Sequence, residues 1–489
     1  MAKELQSPVL VGVGQVLQRV DDPIEGAEPL EMMIDALGRA AEDCGAPRLL
    51  AKAESVRVIR GVWRYGDPGR EIARRLGLGA VETMGSPWGG NVAQACVSDA
   101  AREIQSGQRS VVLVTGAENG RSRALARRRG LDLSASDAPG EPDRMLMPEV
   151  DMAHPAELAR GVRRATETYA VFESAVRGAR GESLAEHSAR IAELWSGFNA
   201  VACQNPNAWI RKPYTASQIG TAGPDNPMIA LPYPRLMNAN NRVDMGAGLI
   251  LCSLAAAREA GVPEEKLVFL HAGTQANDSY TASERWDFHR SPAIRLAGRR
   301  ALELAGLAAG DVEHVDLYSC FPSAVQVAAQ ELGLAADRPL TVTGGLTFGG
   351  GPLNDYVLHS IARMAELLRE DRGKRGLVTA NGGLLSKHAF GVYSTTPPLE
   401  GFRFEDLQRQ ADAEPRREAV VDWDGPVRIE GYTVAHENGA ARRGYAACLT
   451  ADGVRTWAAT ESPELMAVMA REELVGRPAH IDGQGALDF

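Results

Sequence analysis

Residues 89–118 read GGNVAQACVSDAAREIQSGQRSVVLVTGAE. A Gly loop opens the stretch. A helix-like segment from Val92 to Gln105 follows, with Val92, Cys96, Ala100 and Ile104 recurring at helical spacing. Gly107 punctuates it. Ser110 to Thr115 then reads as a buried strand and runs into a second Gly turn. Residues 349–383 repeat this plan: Gly349-Gly350-Gly351-Pro352, a helix-like stretch from Asn354 to Arg369, a polar turn, a strand ending in Gly376 to Thr379, and the loop Ala380 to Gly383. One Gly loop is ordinarily only a tight turn. Two, in the same setting, point to a duplication whose halves pack about a pseudo-twofold axis and bring both Gly loops to one place.

Outward from these units the texture stays α/β. Val9 to Val13 reads as a buried strand and Pro29 to Asp43 as an amphipathic helix. Residues 121–233 are irregular and rich in Pro, Asn and Arg, with a helix from Leu184 to Trp195, and look like an inserted excursion over a substrate site. After about Pro398 apolar and polar residues alternate around Gly and Asn turns. A helix over Pro463 to Arg471 and a last strand near Arg477 to Ile481 are expected there. The expected division is 1–270 for the first half with its insert, 271–398 for the second half, and 405–489 for a small, separate, barrel-like β domain.

The 489 residues are 44% hydrophobic and 24% charged, ordinary for a globular chain with a large core. A net charge of −10 argues against nucleic acid or anionic lipid as partner. No apolar run reaches membrane-spanning length, and no signal-peptide pattern is read at the N-terminus, so a cytoplasmic location is expected. The six cysteines stand apart, without a CxxC pair, so neither a disulfide scaffold nor a metal site is indicated.

The segment from residue 89 to 118 resembles the thiolase segment that opens on the nucleophilic cysteine. Ile104-Gln105-Ser106-Gly107 and Gly116-Ala117-Glu118 match its pattern, and counting back without a gap puts Gly90 at the nucleophile. Met237 to Ser253 and Ser291 to Val325 also resemble thiolases, and their second active-site loop is here Tyr318-Ser319-Cys320-Phe321. The third loop aligns as residues 344–354, with Gly351 for the catalytic His, and the fourth as residues 380–383, with Ala380 for the acid/base Cys. The resemblance is closest to the sterol-carrier-protein-type branch, covers most of residues 8–395 and leaves out the tail. It implies a duplicated, layered α/β fold with an inserted loop domain, and a CoA thioester as ligand. Thiolases are usually dimers or tetramers, so a homodimer is possible, with a monomer left open.

Gly90, Gly351 and Ala380 supply no thiolate, base or acid, so ordinary thiolysis through an acyl-cysteine is not expected. Helix N-termini at the two Gly loops keep the capacity to hold an oxyanion or phosphate. Gly90, Asn91, Gly351, Asn381 and Gly382 are the substrate-binding candidates. Tyr318 is the first catalytic candidate, as hydrogen-bond donor or proton carrier; thiolase-like aldolases acting on steroid-type CoA thioesters are similar in this Tyr, but carry a second one where Gly351 stands. Core packing is the equal alternative for Tyr318. Lys387 and His388, after the fourth loop, are the replacement acid/base candidates, against a surface pair closing a turn. Cys320 and Cys96 read as packing residues, Asp316 as a loop cap. The arginines 121, 123, 127, 128 and 129 read as a phosphate clamp or a solvated helix face. Two functions stay open: acyl transfer or retro-aldol or retro-Claisen cleavage of a CoA thioester, or non-catalytic acyl-CoA binding. No tightly bound cofactor is expected beyond coenzyme A as a substrate moiety.

Overall fold

Strands of the first half are β1 (Pro8–Leu17), β2 (Ser55–Val58), β3 (Glu82–Gly85), β4 (Val111–Asn119) and β5 (Arg144–Met145) in the computed structural model, which describes residues 2–335 and 337–488. The insert adds β6 (Met228–Ala230) and β7 (Tyr233–Pro234), and β8 (Asp244–Ser253) closes the half. The second half supplies β9 (Val268–Asn277), β10 (His314–Asp316), β11 (Arg375–Gly382) and β12 (Lys387–Ser394). The duplication is plain in the pairing. β2 runs parallel to β4, β4 antiparallel to β8, and β8 antiparallel to β1. In the same order, β10 runs parallel to β11, β11 antiparallel to β12, and β12 antiparallel to β9. The halves join where β1 meets β9 antiparallel, Val9 against Phe269 and Leu10 against Val268. The result is one eleven-stranded sheet.

The expected helices are there. α1 (Pro29–Asp43) and α2 (Val92–Gln105) have the bounds read from the sequence. The predicted stripe of α2 is buried, but so are Ala93, Gln94, Ala95, Val97, Ser98 and Ala101. A helix this rich in Ala and other small side chains is built for the interior, and only Asp99, Arg102, Glu103 and Gln105 near its end stay outside the buried set. Its counterpart in the second half starts two residues later than predicted, as α7 (Tyr356–Glu370), because residues 353–355 form a short 3-10 turn.

The insert is more helical than its composition promised. It holds α3 (Gly120–Arg129), α4 (Ala165–Arg180) and α5 (Leu184–Gln204). α5 starts at a Ser183–Glu186 capping box and runs past Trp195 through Gly197, burying Phe198, Asn199 and Ala202 on the same face as Ile191 and Trp195 before it ends at Gln204. In the second half α6 (Pro322–Leu332) follows the Tyr318 loop.

The tail begins with β13 (Arg403–Asp406), which belongs to the large sheet, parallel to β9. Its own sheet is β14 (Gly425–Glu437), β15 (Ala440–Leu449), β16 (Arg455–Thr460), β17 (Pro478–Ile481) and β18 (Leu487–Asp488), with α8 (Pro463–Arg471) after β16. The path runs β16-β15-β14-β17-β18, and an Ala459–Ala486 bridge brings its two ends together, which gives the barrel-like curl. The tail is less separate than expected. β6 of the insert joins its sheet through Ala230 and Ala435. Under β14 lies α4: the Tyr432 amide donates to Ser174 Oγ at 2.7 Å, and Arg177 Nη2 donates to the Tyr432 hydroxyl at 2.8 Å.

Candidate functional site

Four loops and the insert enclose a cavity of about 480 Å³. Gly89 and Gly90 come from the turn before α2, Tyr318, Cys320 and Phe321 from the turn before α6, and Leu353 and Asn354 from the turn before α7. Asn381, Gly382 and Gly383 come from the end of β11. The insert adds Met152, Arg164, Thr166 and Tyr169, and Asn238 and Asn241 come from the segment just before β8. Asp316 ties two of these loops together from behind. Fully buried, it accepts from Thr341 Oγ1 and the Val342 amide at 2.8 Å and from Ser360 Oγ at 2.6 Å.

Gly90 and Tyr318 share one space. A Cβ built on Gly90 would overlap the Tyr318 hydroxyl and lie 2.5 Å from the Asn381 carbonyl oxygen. A side chain at 90 and this placement of Tyr318 are therefore mutually exclusive. The Tyr318 ring packs edge-to-face on Tyr356 at 5.5 Å, and its backbone amide donates to Thr379 Oγ1 at 2.8 Å. Its hydroxyl makes no hydrogen bond to any described residue. Burial, with smaller contributions from Cys320 and Asp355, pushes its pKa up, so it stands as a phenol that donates. Cys320 is pushed up to about 12, again chiefly by burial, and remains a thiol.

Tyr169, in α4, belongs to no motif that would single it out from sequence. Its hydroxyl accepts from the Leu385 amide at 2.8 Å and from Asn381 Nδ2 at 2.9 Å, and donates to the Gly383 carbonyl at 3.1 Å. Its ring stacks on Phe321 at 4.5 Å. One tyrosine thus fixes the fourth loop against the second. Arg164, just ahead of α4, is the only charged side chain among the described residues that line the cavity.

Several candidates lie elsewhere. Lys387 is buried behind the Gly89 turn, where its ammonium donates to the Trp88 carbonyl at 2.5 Å and burial lowers its pKa. It braces that loop without lining the cavity. His388, next along β12, faces the other side of the sheet. Its Nε2 lies 3.1 Å from the Leu385 carbonyl and 3.7 Å from Asp278, which is itself ion-paired with Arg285. It lines no part of the cavity and is not placed to move a proton there. Gly351 stands just outside the lining, its amide bonded to the Asn240 carbonyl at 3.0 Å. Asn91 sits one residue behind Gly90, with its Oδ1 buried and without a partner. Gly90, Asn381 and Gly382 do line the cavity. None of the arginines of α3 lines the cavity; Arg123 pairs with Glu118 at 3.0 Å and Arg129 donates to the Asp21 carbonyl at 3.1 Å. No cluster of His, Cys, Asp and Glu among the described residues is arranged to hold a metal. No helix among them is long and apolar enough to cross a membrane.

Glu118 closes the Gly-x-Glu pattern and is buried at the end of β4. Burial pushes its pKa up to about 7, against the pull of the Val62 amide and Arg123. The unfolded chain then releases this proton before the folded one, so stability falls as the pH rises between about 4.5 and about 7 and levels off above. The full loss is on the order of 3 kcal/mol. Denaturant unfolding of the wild type and Glu118→Gln across that range is expected to show the variant gaining relative stability with pH. A difference that is flat or reversed in pH would contradict the assignment.

A family model described as the additional C-terminal domain of thiolase-like protein type 1 matches residues 406–486. The whole chain is similar to the crystal structure of a monomeric SCP2-thiolase-like protein type 1 from Mycobacterium smegmatis. That pair shares 31% identity over 99% of this chain and 98% of the other, with a TM-score of 0.84. An acetyl-CoA acetyltransferase of Methanothermobacter thermautotrophicus is 28% identical over 37% of this chain, which spans about half, 50%, of that relative's length. The Ltp2-ChsH2(DUF35) aldolase, 19% identical over 79% of this chain and 97% of its own with a TM-score of 0.61, shares the fold.

Proposed function

The chain belongs to the thiolase superfamily, in the SCP2-thiolase-like protein type 1 group, and from that premise we propose that its cavity takes a CoA thioester and acts on it without an acyl-cysteine. One observation carries this reading: the Tyr318 hydroxyl, free of any partner, stands where a nucleophile at position 90 would have to be. Tyr318 donates its hydrogen bond to the thioester oxygen, and the first amides of α2, beside Gly90, add the positive end of a helix to the same developing charge. The reaction is acyl transfer or cleavage of the Cα–Cβ bond by a retro-aldol or retro-Claisen route. Retro-aldol cleavage suits the lining best. As the Cα–Cβ bond breaks, the 3-hydroxyl gives up its proton and becomes the carbonyl of the released aldehyde or ketone, and Cα of the enolate takes one proton up. The step is therefore proton-neutral and needs no nucleophile, and the lining holds donors and no thiolate. Coenzyme A is a substrate moiety, and no tightly held cofactor is proposed.

Incubation with 3-hydroxyacyl- and 3-oxoacyl-CoA panels, read by mass spectrometry, tests it. The wild type is expected to release a shortened acyl-CoA, and Tyr318→Phe to slow that release by at least about 100-fold. Full activity in Tyr318→Phe would remove Tyr318 from the role.

A second reading is a non-catalytic acyl-CoA-binding protein. It is favoured by the lining itself, which has no carboxylate, histidine or lysine and holds both Tyr318 and Cys320 protonated. Calorimetric binding of thioesters with no product from any of them would select it. For the solution state we infer a cytoplasmic monomer, like the monomeric Mycobacterium smegmatis relative. The outer edge of the large sheet supports this, since β5 pairs with β3 and Asp143 accepts from the Thr83 amide at 2.8 Å, which blunts the edge against a second copy.

A further inference from the structure

Asp355 opens the turn into α7, and its carboxyl is packed into the wall behind the cavity, 2% exposed. Gly116 makes the room: a Cβ there would lie 2.6 Å from the Asp355 Cβ. One turn along the helix is His359, 3% exposed. Asp355 Oδ2 and His359 Nε2 are 3.8 Å apart, and neither atom has a hydrogen-bond partner. Two orphaned polar atoms facing each other in a buried wall call for an account.

The other side of the ring supplies it. His359 Nδ1 lies 2.9 Å from Gln15 Oε1, and Gln15 Nε2 is turned toward the Glu366 carboxylate at 3.5 Å. A carboxylate only accepts, so Gln15 presents its NH2 to Glu366 and its oxygen to the ring. An amide oxygen also only accepts, so Nδ1 carries a ring hydrogen. Burial holds the His359 pKa down at about 3, so the ring carries no second one, and Nε2 is a bare lone pair. An ionised Asp355 would set an acceptor against that lone pair. A protonated Asp355 sets a donor against it, and a small side-chain rotation closes 3.8 Å to hydrogen-bond length.

We propose that Asp355 is a positioning residue of the cavity, held as an uncharged carboxylic acid whose proton points at His359 Nε2. This rests on the reading of the Tyr318 cavity as the ligand site. The residues flanking Asp355 carry its effect. Asn354 lines the cavity, accepts from the Gly89 amide at 3.1 Å and donates to the Arg60 carbonyl at 2.8 Å. Tyr356 is the ring on which Tyr318 stands. The start of α7 favours an anion. Burial opposes one, as does the charge of Glu118, and both push the Asp355 pKa well up. The titratable groups around the pair are Glu118 from β4, Tyr318 from its loop, and Glu366 beyond Gln15. A neutral pair leaves the wall next to Tyr318 without ionic charge through the neutral pH range.

The infrared difference between the wild type and Asp355→Asn tests the protonation directly. A carbonyl stretch of a protonated carboxylic acid is expected in the wild type at neutral pH and absent from the variant. Nitrogen NMR of labelled histidine is expected to show His359 as the neutral Nδ1–H tautomer between about pH 5 and pH 8. Acetyl-CoA serves as the binding probe in calorimetry. Asp355→Asn, which still offers an N–H to Nε2, is expected to bind it within about twofold of wild type. Asp355→Leu, which offers none, is expected to lose about tenfold. An absent acid band with an imidazolium His359, or tenfold weaker binding in Asp355→Asn, overturns the proposal. Failure of the wild type to bind any thioester removes the proposed function instead, and the two spectroscopic results still decide the state of Asp355.

Discussion

Gly90→Cys is expected to destabilise the protein by about 3 kcal/mol, the upper part of the range for overpacking a filled core, and to bring no thiolysis with it. Its Cβ would overlap the Tyr318 hydroxyl and crowd the Asn381 carbonyl at 2.5 Å. The first obstacle is the tip of a side chain and can move. The second is backbone at the end of β11, held through Asn381 Nδ2 by Tyr169, and moves only with its loop. Gly90→Cys with Tyr318→Ala is therefore expected to recover only part of the loss. Neither variant gains an acyl-enzyme, because Gly351 offers no base and Ala380 no second thiol. Denaturant midpoints, together with mass spectrometry of the intact protein after acetyl-CoA, report both halves of the claim. A stable Gly90→Cys protein that acetylates at residue 90 would show that the pocket is a thiolase site short of one group, rather than a site rebuilt around Tyr318.

That contrast marks where the sequence is legible. The duplication can be read because each half repeats a hydrophobic period around Gly turns, and the two sets of pairings repeat it strand for strand. Gly90 can be read by counting, since a helix and a strand of fixed length separate it from Gly116. What occupies its place cannot be counted. Tyr318 and Gly90 are far apart in the chain, and only the fold shows that one fills the space the other vacates. Lys387 and His388 show the opposite failure. They stand directly after a site loop, but strand alternation sends them to opposite faces, and neither side chain ends in the cavity. Tyr169 is hidden for another reason. It lies in an irregular insert without period or motif, and its importance comes from three hydrogen bonds to a loop more than two hundred residues away. Asp355 and His359 read as ordinary helix residues, because their spacing of four is helical whatever they do.

Arg455→Met is expected to cost about 3–5 kcal/mol, because it leaves a buried acceptor set without its cation. Arg455 is fully buried at the start of β16. Its guanidinium pairs with both oxygens of Glu430 at 2.7 Å, donates to the Ser283 carbonyl at 2.7 Å and to the Arg285 carbonyl, and lies 4.3 Å over the Phe288 ring. Glu430 belongs to the tail sheet, and residues 283–288 to the second half, so one side chain stitches the two together. Methionine fills much of the volume but none of the acceptors. Removing the carboxylate as well, in Arg455→Met with Glu430→Leu, is expected to restore part of the stability, since it removes the unpaired charge but leaves the Ser283 and Arg285 carbonyls without their donor. Unfolding by guanidinium, followed by circular dichroism, measures each variant. A single variant within about 1 kcal/mol of wild type would mean that the stitch is not a main attachment of the tail. The same series reports on function, because α4 carries tail contacts at Ser174 and Arg177 and the cavity contact at Tyr169. If thioester affinity falls with tail stability in Arg455→Met and recovers with it in the double variant, the tail is a fixed wall behind the cavity, acting through that helix; affinity that stays at the wild-type value while stability drops would leave the tail with no part in ligand binding.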